Sequence, residues 1–530
     1  MPDPQIHRRR WWILAVLIVS LFTVNLDNTI LNVALPTLAR DLGASISELQ
    51  WMIDAYVLAF AGLLLAAGAI GDRFGRRRVL TVGLVIFGVG SFASAFAGSA
   101  GVLIPLRALM GVGGALITPS TLSVTRAVFT LEERPKAIAI WTATAGLGIV
   151  AGPVIAGLLL DRFAWGSIFL INIPVVLVGL AGTRRLVPET SSPDAPALDV
   201  AGALVSIAAL GALVYGTIEA PARGWTDPAI LASFGAFAVL LPLFVVLELR
   251  SSHPMLDVRI FRRPELAAGS LAILLSSLGM MGSMFFLSQY LQSVVGLTTL
   301  ETGFGVIPLA LALGVASPVA ALAWRRIGAR AVAAVGLGCV ALGLFLMAHA
   351  TVSSGYPLVA ATLALVGGGM ALAATPVTTL MITAMPASRA GIASAINSTA
   401  RELGGALGVA ILGSVAAPVY ATRIEPVARA LPPQAAEPAR DSVAGALAVA
   451  SMLPHDLGSG LTLVARTAFV DGMSAAVTIG AVIALAGAAV ALAFLPGRAR
   501  RNVQAPAAAL VVTQTRGDVV ALPDASGRAA

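Results

Sequence analysis

Residues 68–78 read Gly-Ala-Ile-Gly-Asp-Arg-Phe-Gly-Arg-Arg-Arg, between one apolar run that starts at Trp51 and another that starts at Val79. A chain that leaves one apolar run and enters the next within a few charged residues is turning back. Gly75 permits a tight reversal because it tolerates positive φ. Arg73, Arg76, Arg77 and Arg78 mark the side on which the turn sits, since short loops on the inner side of a membrane collect arginine. A positive-inside hairpin loop accounts for everything here except Asp72, because acidic residues contribute little to orientation.

Composition decides the class. Of 530 residues, 58% are hydrophobic and 11% are charged, and the mean hydropathy is +0.91. No soluble protein of this size needs so much apolar surface, so the chain reads as a polytopic membrane protein. A net charge of +8 and a pI near 10.6 would suit nucleic acid. The arginines, however, sit in short loops between apolar runs, which is a topology signal, and no nucleic-acid partner is expected. Cys339 is the single cysteine, so no intramolecular disulfide forms. The N-terminus reads His-Arg-Arg-Arg before an apolar stretch too long for a secretory signal, with no small-x-small cleavage site after it. It is read as a retained first span.

A span needs about 20 apolar residues. Fourteen segments qualify: 11–35, 50–70, 79–97, 101–123, 137–160, 166–184, 199–219, 229–248, 266–294, 302–323, 330–350, 356–381, 390–418 and 472–495. With the N-terminus inside, the interior loops hold the arginines at 73–78, then Arg126, Arg134 and Lys136, then Arg184 and Arg185, and so on to Arg498, Arg500 and Arg501. The short exterior loops hold only Arg40, Arg162 and Arg223. A missed or invented span would reverse every later loop, so the bias favours fourteen spans with both termini cytoplasmic. The long exterior loop 419–471 is expected to be partly ordered, as a hairpin dipping towards the membrane. Residues 496–530 read as a disordered cytoplasmic tail.

The chain repeats itself. Leu106, Gly111, Thr118 and Pro119 recur as Leu363, Gly368, Thr375 and Pro376, an offset of 257. The second copy of the Gly-Arg turn, at Arg325, Arg326, Gly328 and Arg330, has no acid matching Asp72. The organisation expected is a short N-terminus (1–10), a six-helix bundle (11–185), two inserted helices (198–248) and a second six-helix bundle (265–495) that includes the loop 419–471. Secondary transporters are built from such repeats, with sites near the midplane between them.

Polar residues inside the spans are the candidate site. In span 1, Asn25, Thr29 and Asn32 share one helical face, while Asp27 and Thr23 lie roughly opposite. Such a helix lines a cavity on one side and touches a neighbour on the other. An intramembrane carboxylate is expensive and marks function by default, with a structural hydrogen bond as the alternative. Arg107 in span 4 has Ala364 as its repeat counterpart, which favours charge pairing with a carboxylate such as Asp27; the alternative is snorkelling to the surface. Asp54, near the exterior end of span 2, suits a proton site or a simple interfacial carboxylate equally. Span 13 presents Ser394, Asn397, Ser398, Arg401 and Glu402 on one broad face, either as cavity lining or as a buried network with partners on other helices. Gln289 and Gln292 are further candidates for cavity polarity. In span 5, Ala145, Gly148, Gly152 and Ala156 form a stripe of small residues that permits close helix packing, and Pro153 kinks the helix. No Walker A sequence is present, and His7, His253, His349 and His455 lack metal-ligand spacing. Neither an enzyme nor a metal site is expected. A non-transporting receptor would need no titratable cavity residue.

These motifs resemble those of the major facilitator superfamily. Residues 68–78 resemble its signature loop between spans 2 and 3. Arg107 with Gly111 and Gly114 resembles the span-4 motif, with Met110 where glutamine is common. Gly148-Ile-Val-Ala-Gly-Pro (148–153) followed by Gly157 is similar to the span-5 motif associated with antiporters. Leu26 to Pro36 resembles the span-1 motif of the fourteen-span drug:proton antiporter branch, the EmrB/QacA type. The likeness runs from about residue 11 to 418 and includes span 14.

The resemblance implies an all-α major facilitator fold with two six-helix bundles and two inserted helices. It implies proton-driven export of hydrophobic, often cationic or aromatic compounds by alternating access; a monomer in the plasma membrane is expected. The proton gradient is then the energy source and no cofactor is needed. It maps Asp27 and Arg107 onto residues of proton coupling or substrate binding. It maps Asp72, with Gly68, Arg73, Gly75 and Arg76, onto a latch that reaches the opposite bundle, near Arg389. Export of an endogenous metabolite or lipid by the same fold is the competing reading.

Overall fold

A computed structural model describes residues 4–130, 132–191, 199–252, 254, 256–383 and 390–497. Among these, every regular element is helical. The helices are α1 (Pro4–Leu42), α2 (Ile46–Phe74), α3 (Arg76–Ser94), α4 (Ala100–Val128), α5 (Arg134–Leu160), α6 (Ser167–Leu170), α7 (Asn172–Leu186), α8 (Val200–Arg223) and α9 (Pro228–Arg250). They continue with α10 (Pro264–Gln289), α11 (Thr299–Gly305), α12 (Ile307–Ile327), α13 (Ala329–Ala348), α14 (Tyr356–Thr383), α15 (Ala390–Ala428), α16 (Pro433–Asp441), α17 (Val443–Met452) and α18 (His455–Phe494). A π-turn, Tyr290–Val294, extends α10.

Local chemistry sets many of the ends. Gly75 stops α2 and starts α3 at φ +102°, the reversal the opening stretch demands. Ser45 with Glu48 and Thr298 with Glu301 form capping boxes at α2 and α11. Short connections make successive long helices antiparallel. The loops therefore collect at two ends: a near end with Gly75, Glu133 and Gly328, and a far end with Gly43, Gly224 and Gly296.

Twelve helices among the described residues are long and apolar enough to cross a membrane, or thirteen if Ile46–Leu64 and Ala66–Phe74, bent by 55°, form one span. The remaining expected span, 137–160, lies in α5, whose apolar part by the same measure is Ala151–Leu160. The outer surface suits lipid. Val82, Val85, Val89 and Phe92 on α3, and Leu311, Val315, Val319 and Leu322 on α12, are exposed at helical spacing. The chain is a multi-pass membrane protein.

α1 packs on α5 and α7, α2 on α4, and α3 on α4; later in the chain α10 packs on α15, and α14 on both α12 and α13. α8 leans on α2 and α15, and α9 packs on α8.

Residues 4–10 are helical and continue into the first span within α1, where Arg10 pairs with Glu133 at 2.8 Å and Trp11 meets Phe129 edge-on. Expectations for two other regions change. The segment 419–471, expected to be partly ordered, is instead helical over most of its length. α15 runs on to Ala428, α18 begins at His455 instead of 472, and α16 and α17 fill the gap. At 1.5 Å per residue, α15 and α18 are each roughly 60 Å long, about twice the hydrocarbon thickness. Their outer parts and α16–α17 form a cap at the far end, tied by Tyr420 donating to the Ala439 carbonyl and by Arg440 on Glu425. The expected spans 6 and 10 are each present as one apolar segment, Ser167–Leu186 and Thr299–Trp324, whose helix is broken at Ile171 and Val306. The tail from 498 lies outside the described residues.

Candidate functional site

The polar faces of α1 separate as their spacing predicts. Asp27 points away from the cavity and is fully buried. Its Oδ2 lies 2.5 Å from Nη1 of Arg107, which is 1% exposed. Arg107 is thus a paired, interior residue and does not snorkel. Its Nε donates to the Met52 carbonyl at 2.9 Å, and its guanidinium lies 4.5 Å over the Tyr56 ring, both on α2. Asn172 Nδ2 donates to Asp27 Oδ1 at 3.4 Å and to Ser91 Oγ at 3.0 Å. One ion pair therefore ties α1 to α2, α3, α4 and α7. Two ions removed from water need this many partners to be tolerated.

The opposite face of α1 lines a cavity with about 850 Å³ of empty space, its mouth included. Asn25, Asn28 and Asn32 stand on one wall, and Met281, Met370, Arg401 and Glu402 on others; Arg107 reaches its edge. Among the described residues Arg401 and Glu402 pair with each other at 3.0 Å, and no ion pair joins them to another helix as one reading of span 13 had it. An adjoining small apolar space is lined by Met280, Met281, Met284 and Pro153, with Thr29 and Asn32 at the boundary.

Other expected residues fall elsewhere. Asp54 is 0% exposed, so it is no interfacial carboxylate; it is absent from the cavity wall, and neither of its oxygens has a hydrogen-bond partner among the described residues. Asn397 accepts from Thr378 at 3.0 Å, linking α15 to α14 away from the cavity. Ser394 has no described side chain.

The span-5 glycines mark close approach. A Cβ on Gly148 would lie 2.6 Å from the Asn25 Cβ, and one on Gly152 would overlap the Thr29 hydroxyl. Thr29 donates to the Gly148 carbonyl at 2.8 Å. On the other side of α5, a Cβ on Gly157 would lie 2.6 Å from Leu300 Cα, and Gly303 is pressed against the Pro153 carbonyl. α5 is wedged between α1 and α11.

At the far end Gln50, fully buried on α2, donates from Nε2 to the carbonyls of Val409 and Ala410 on α15 at 3.0 and 3.1 Å. Gln292 donates to the Val33 carbonyl of α1 at 2.9 Å. Among the described residues Gln289 bonds within its own helix, donating to the Phe285 carbonyl.

At the near end Asp72 accepts from Arg76 Nε and Nη2 at 2.9 and 2.7 Å, inside its own turn. The expected partner Arg389 lies outside the described residues. Arg73 is exposed beside Phe74, and Gly68 lies 3.9 Å from Pro119 by the position a Cβ would take. Glu189 accepts from the Arg77 amide at 3.1 Å and faces Arg77 and Arg78 at 3.6 and 3.7 Å, while the Arg76 amide donates to the Thr190 carbonyl. The segment after α7 thus braces the turn.

A model of the family described as "Major Facilitator Superfamily" matches residues 17–409. The chain belongs to the major facilitator superfamily. Among curated relatives in this superfamily, it is 36% identical over 483 residues to the multidrug efflux pump LfrA of Mycolicibacterium smegmatis, covering 91% of this chain and 95% of that one. It is 33% identical over 502 residues to the tetracenomycin C resistance and export protein of Streptomyces glaucescens, covering 93% of each. It is 36% identical over 471 residues to the methyl viologen resistance protein SmvA of Salmonella typhimurium, covering 89% and 95%. Among solved structures, a bacterial homolog to the human lysosomal transporter Spinster, inward-facing and unoccupied, superposes with a TM-score of 0.65 at 17% identity over 94% of this chain and 100% of that one. That likeness shows the superfamily fold.

Sequence reasoning missed Asn172, Gln50 and Glu189. Asn172 was findable, since an amide inside the run Phe-Leu-Ile-Asn-Ile-Pro is as conspicuous as Asp27. Gln50 and Glu189 stand near span ends, where polar residues are ordinary and carry no signal.

Proposed function

We propose that this chain exports hydrophobic compounds, cationic or aromatic ones foremost, from the cytoplasm in exchange for protons. One observation carries the reading: a buried acid–base pair, Asp27–Arg107, stands directly behind a cavity walled by asparagines and methionines. The named activities of the relatives, multidrug efflux and drug resistance, support it. In this reading the protein is a transporter and not an enzyme, sits in the plasma membrane as a monomer with fourteen spans, and keeps both termini in the cytoplasm. Two six-helix bundles, 11–185 and 265–495, move against each other around the inserted helices 198–248.

The near end then faces the cytoplasm, and the far end is closed by Gln50 and Gln292. With the far end open, an exterior proton adds to the Asp27 carboxylate. The neutral acid attracts a cation less, and the substrate leaves outward. Closure brings Asp27 back against Arg107 as an ion pair, and the proton departs to the cytoplasm. Arg107 also holds Met52 and Tyr56 of α2, so the same proton bears on the helix that Gln50 fastens to α15. Arg401 and Glu402 supply charge at the opposite wall, and Asn32 supplies hydrogen bonds. Gly148, Gly152, Pro153 and Gly157 let α5 act as the pivot between bundles. Asp72 with its turn acts as the near-end latch.

The test is transport by the full chain in proteoliposomes with an imposed pH gradient. Wild-type protein should move substrate against proton flow, and Asp27→Asn should abolish the coupling. Unchanged coupling in Asp27→Asn removes its assigned role. No gradient-dependent movement of any compound in a broad panel removes the reading itself.

A further inference from the structure

α1 and α7 run antiparallel towards the near end, and the residues beside their contact outline a groove on the lipid-facing wall. A Cβ on Gly179 would lie 3.0 Å from the Ser20 hydroxyl, and one on Gly182 would lie 2.5 Å from a Val16 methyl. Moving along α7 towards its end therefore moves back along α1 towards its start. At 100° per residue, Arg9, Trp12 and Val19 flank this contact on α1, and Val178 and Arg185 flank it on α7. Trp12 is 70% exposed and Val178 59%; Arg9 and Arg185 are exposed too. The groove is thus apolar along its length, with Gly182 as its floor, and basic at its near end. Arg8 and Arg184 are exposed just outside it. Among the described residues none of these four arginines has an acidic partner, whereas Arg10 pairs with Glu133, and Arg77 and Arg78 face Glu189. Trp11 is held by Phe129 and by Lys136, 5.4 Å from its ring. Trp12 is left facing outward, where tryptophan favours the headgroup level. The inside bias of loop charge asks for arginines at this end; it does not ask that they converge without counter-ions on one groove.

We propose that this groove binds an anionic phospholipid, with an acyl chain along Val16, Val19 and Val178 and the phosphate between Arg9 and Arg185. Guanidinium groups bind phosphate oxygens through paired hydrogen bonds, and basic pockets between spanning helices hold anionic headgroups. A soluble anion would match only the mouth of the groove, whereas a lipid matches both parts. The site requires that the helices span a membrane. It does not depend on which compound the chain exports or on whether protons drive it.

The test is the full chain in neutral detergent, titrated with dioleoylphosphatidylglycerol and read by native mass spectrometry. Arg9→Gln/Arg185→Gln should weaken lipid binding about thirtyfold, about fivefold for each arginine. Single Arg185→Gln should lose about fivefold, which keeps the site testable if the double variant does not fold. Arg9→Lys/Arg185→Lys keeps the charge and should retain most of the binding. Arg250→Gln/Arg326→Gln removes the same charge from exposed positions at the same end, on α9 and α12, and should stay within about twofold of wild type. Dioleoylphosphatidylcholine should bind wild type no better than phosphatidylglycerol binds Arg9→Gln/Arg185→Gln. An equal fall in both double glutamine variants, or a fall in neither, overturns the site. Displacement of the lipid by an equal concentration of inorganic phosphate overturns it as well. Bound lipid is read without transport, so failure of this site and failure of the export reading are separate results.

Discussion

Asp27 and Arg107 are held 2.5 Å apart in the first half of the chain. The repeat offset of 257 carries these positions to Met284 (27 + 257) and Ala364 (107 + 257), both apolar. The same helix pair is built twice, α1 against α4 and α10 against α14, and only one copy contains ions. Helix packing therefore does not require the pair. Burying two charges costs several kcal/mol per ion before their attraction is counted. A cost borne in one copy and omitted from the other marks a feature kept for reasons other than folding. The copies differ at their far ends too: a helical cap is inserted between α15 and α18, and nothing comparable lies between α5 and α6.

The largest effect should come from breaking the pair on one side. Arg107→Ala leaves Asp27 buried without its counter-ion and should destabilise the protein by about 3–5 kcal/mol, measured by thermal unfolding in detergent. Asp27→Met combined with Arg107→Ala imports the residues of the second half. It should recover most of that stability, because an apolar replacement of a buried pair is often neutral, yet it should show no proton-coupled transport. If the double variant is no more stable than Arg107→Ala, the two copies are not interchangeable as packing.

The next effect concerns the seam between the copies. Gln50→Leu removes two hydrogen bonds from α2 to α15 and leaves two carbonyls short of a donor. About 2 kcal/mol should be lost from the far-end-closed state, roughly a thirtyfold shift in population. Spin labels at Asp41 and Ala430, in a Cys339→Ser background, should report a larger far-end separation. An unchanged distance distribution would relieve Gln50 of any gating role.

Asp72→Asn tests the acid that the second Gly-Arg turn lacks. It weakens the Arg76 contact, and because Asp72 is partly exposed the cost in stability should be below about 1 kcal/mol. Transport should fall while the amount of protein inserted in the membrane, read on a blot, stays the same. Loss of insertion instead would make Asp72 a folding residue.

The smallest effect belongs to the cap. Asp441 ends α16, where the helix dipole disfavours an anion. Burial pushes its carboxyl above the usual range, with Glu437 and Glu48 adding to the rise. A carboxyl raised in the folded state binds its proton more tightly there than in the unfolded chain. Its contribution is thus most favourable below the unfolded value and is lost as pH climbs through the folded one. Protection of the α16 amides, as exchange corrected for the intrinsic rate at each pH, should be greater at pH 4 than at pH 7, and Asp441→Asn should remove that difference.

Much of this was legible beforehand, and the reasons are physical. Apolar runs of bilayer length reported the long helices from α1 to α15 in order, because hydrophobic length is written locally, whereas the breaks at Ile171 and Val306 left no mark on it. The two faces of span 1 were readable from spacing alone, since 100° per residue separates Asp27 from Asn25 and Asn32. That Asp27 meets Arg107 was suggested only by the apolar counterpart of Arg107, and the distance itself is a tertiary fact. The cap was misread because its helices carry charge. Arg423, Glu425, Arg429 and Arg466 end the hydropathy signal while the helices continue, held by ion pairs such as Arg423 with Asp471. For Asp54 a proton site and an interfacial carboxylate stayed equally open, because its depth along the span was legible and its facing was not.

α15 passes the cavity at Glu402 and enters the cap at Tyr420 without interruption, and α18 runs beside it into the same cap. From Glu402 to Ala428 is a single rod of roughly 40 Å. A small tilt beside the substrate is therefore magnified outside the bilayer, where the chain is open to chemistry. Met452, 84% exposed in the cap, is a natural place for a dye. A fluorophore there would let the motion of the buried cavity be watched from the water.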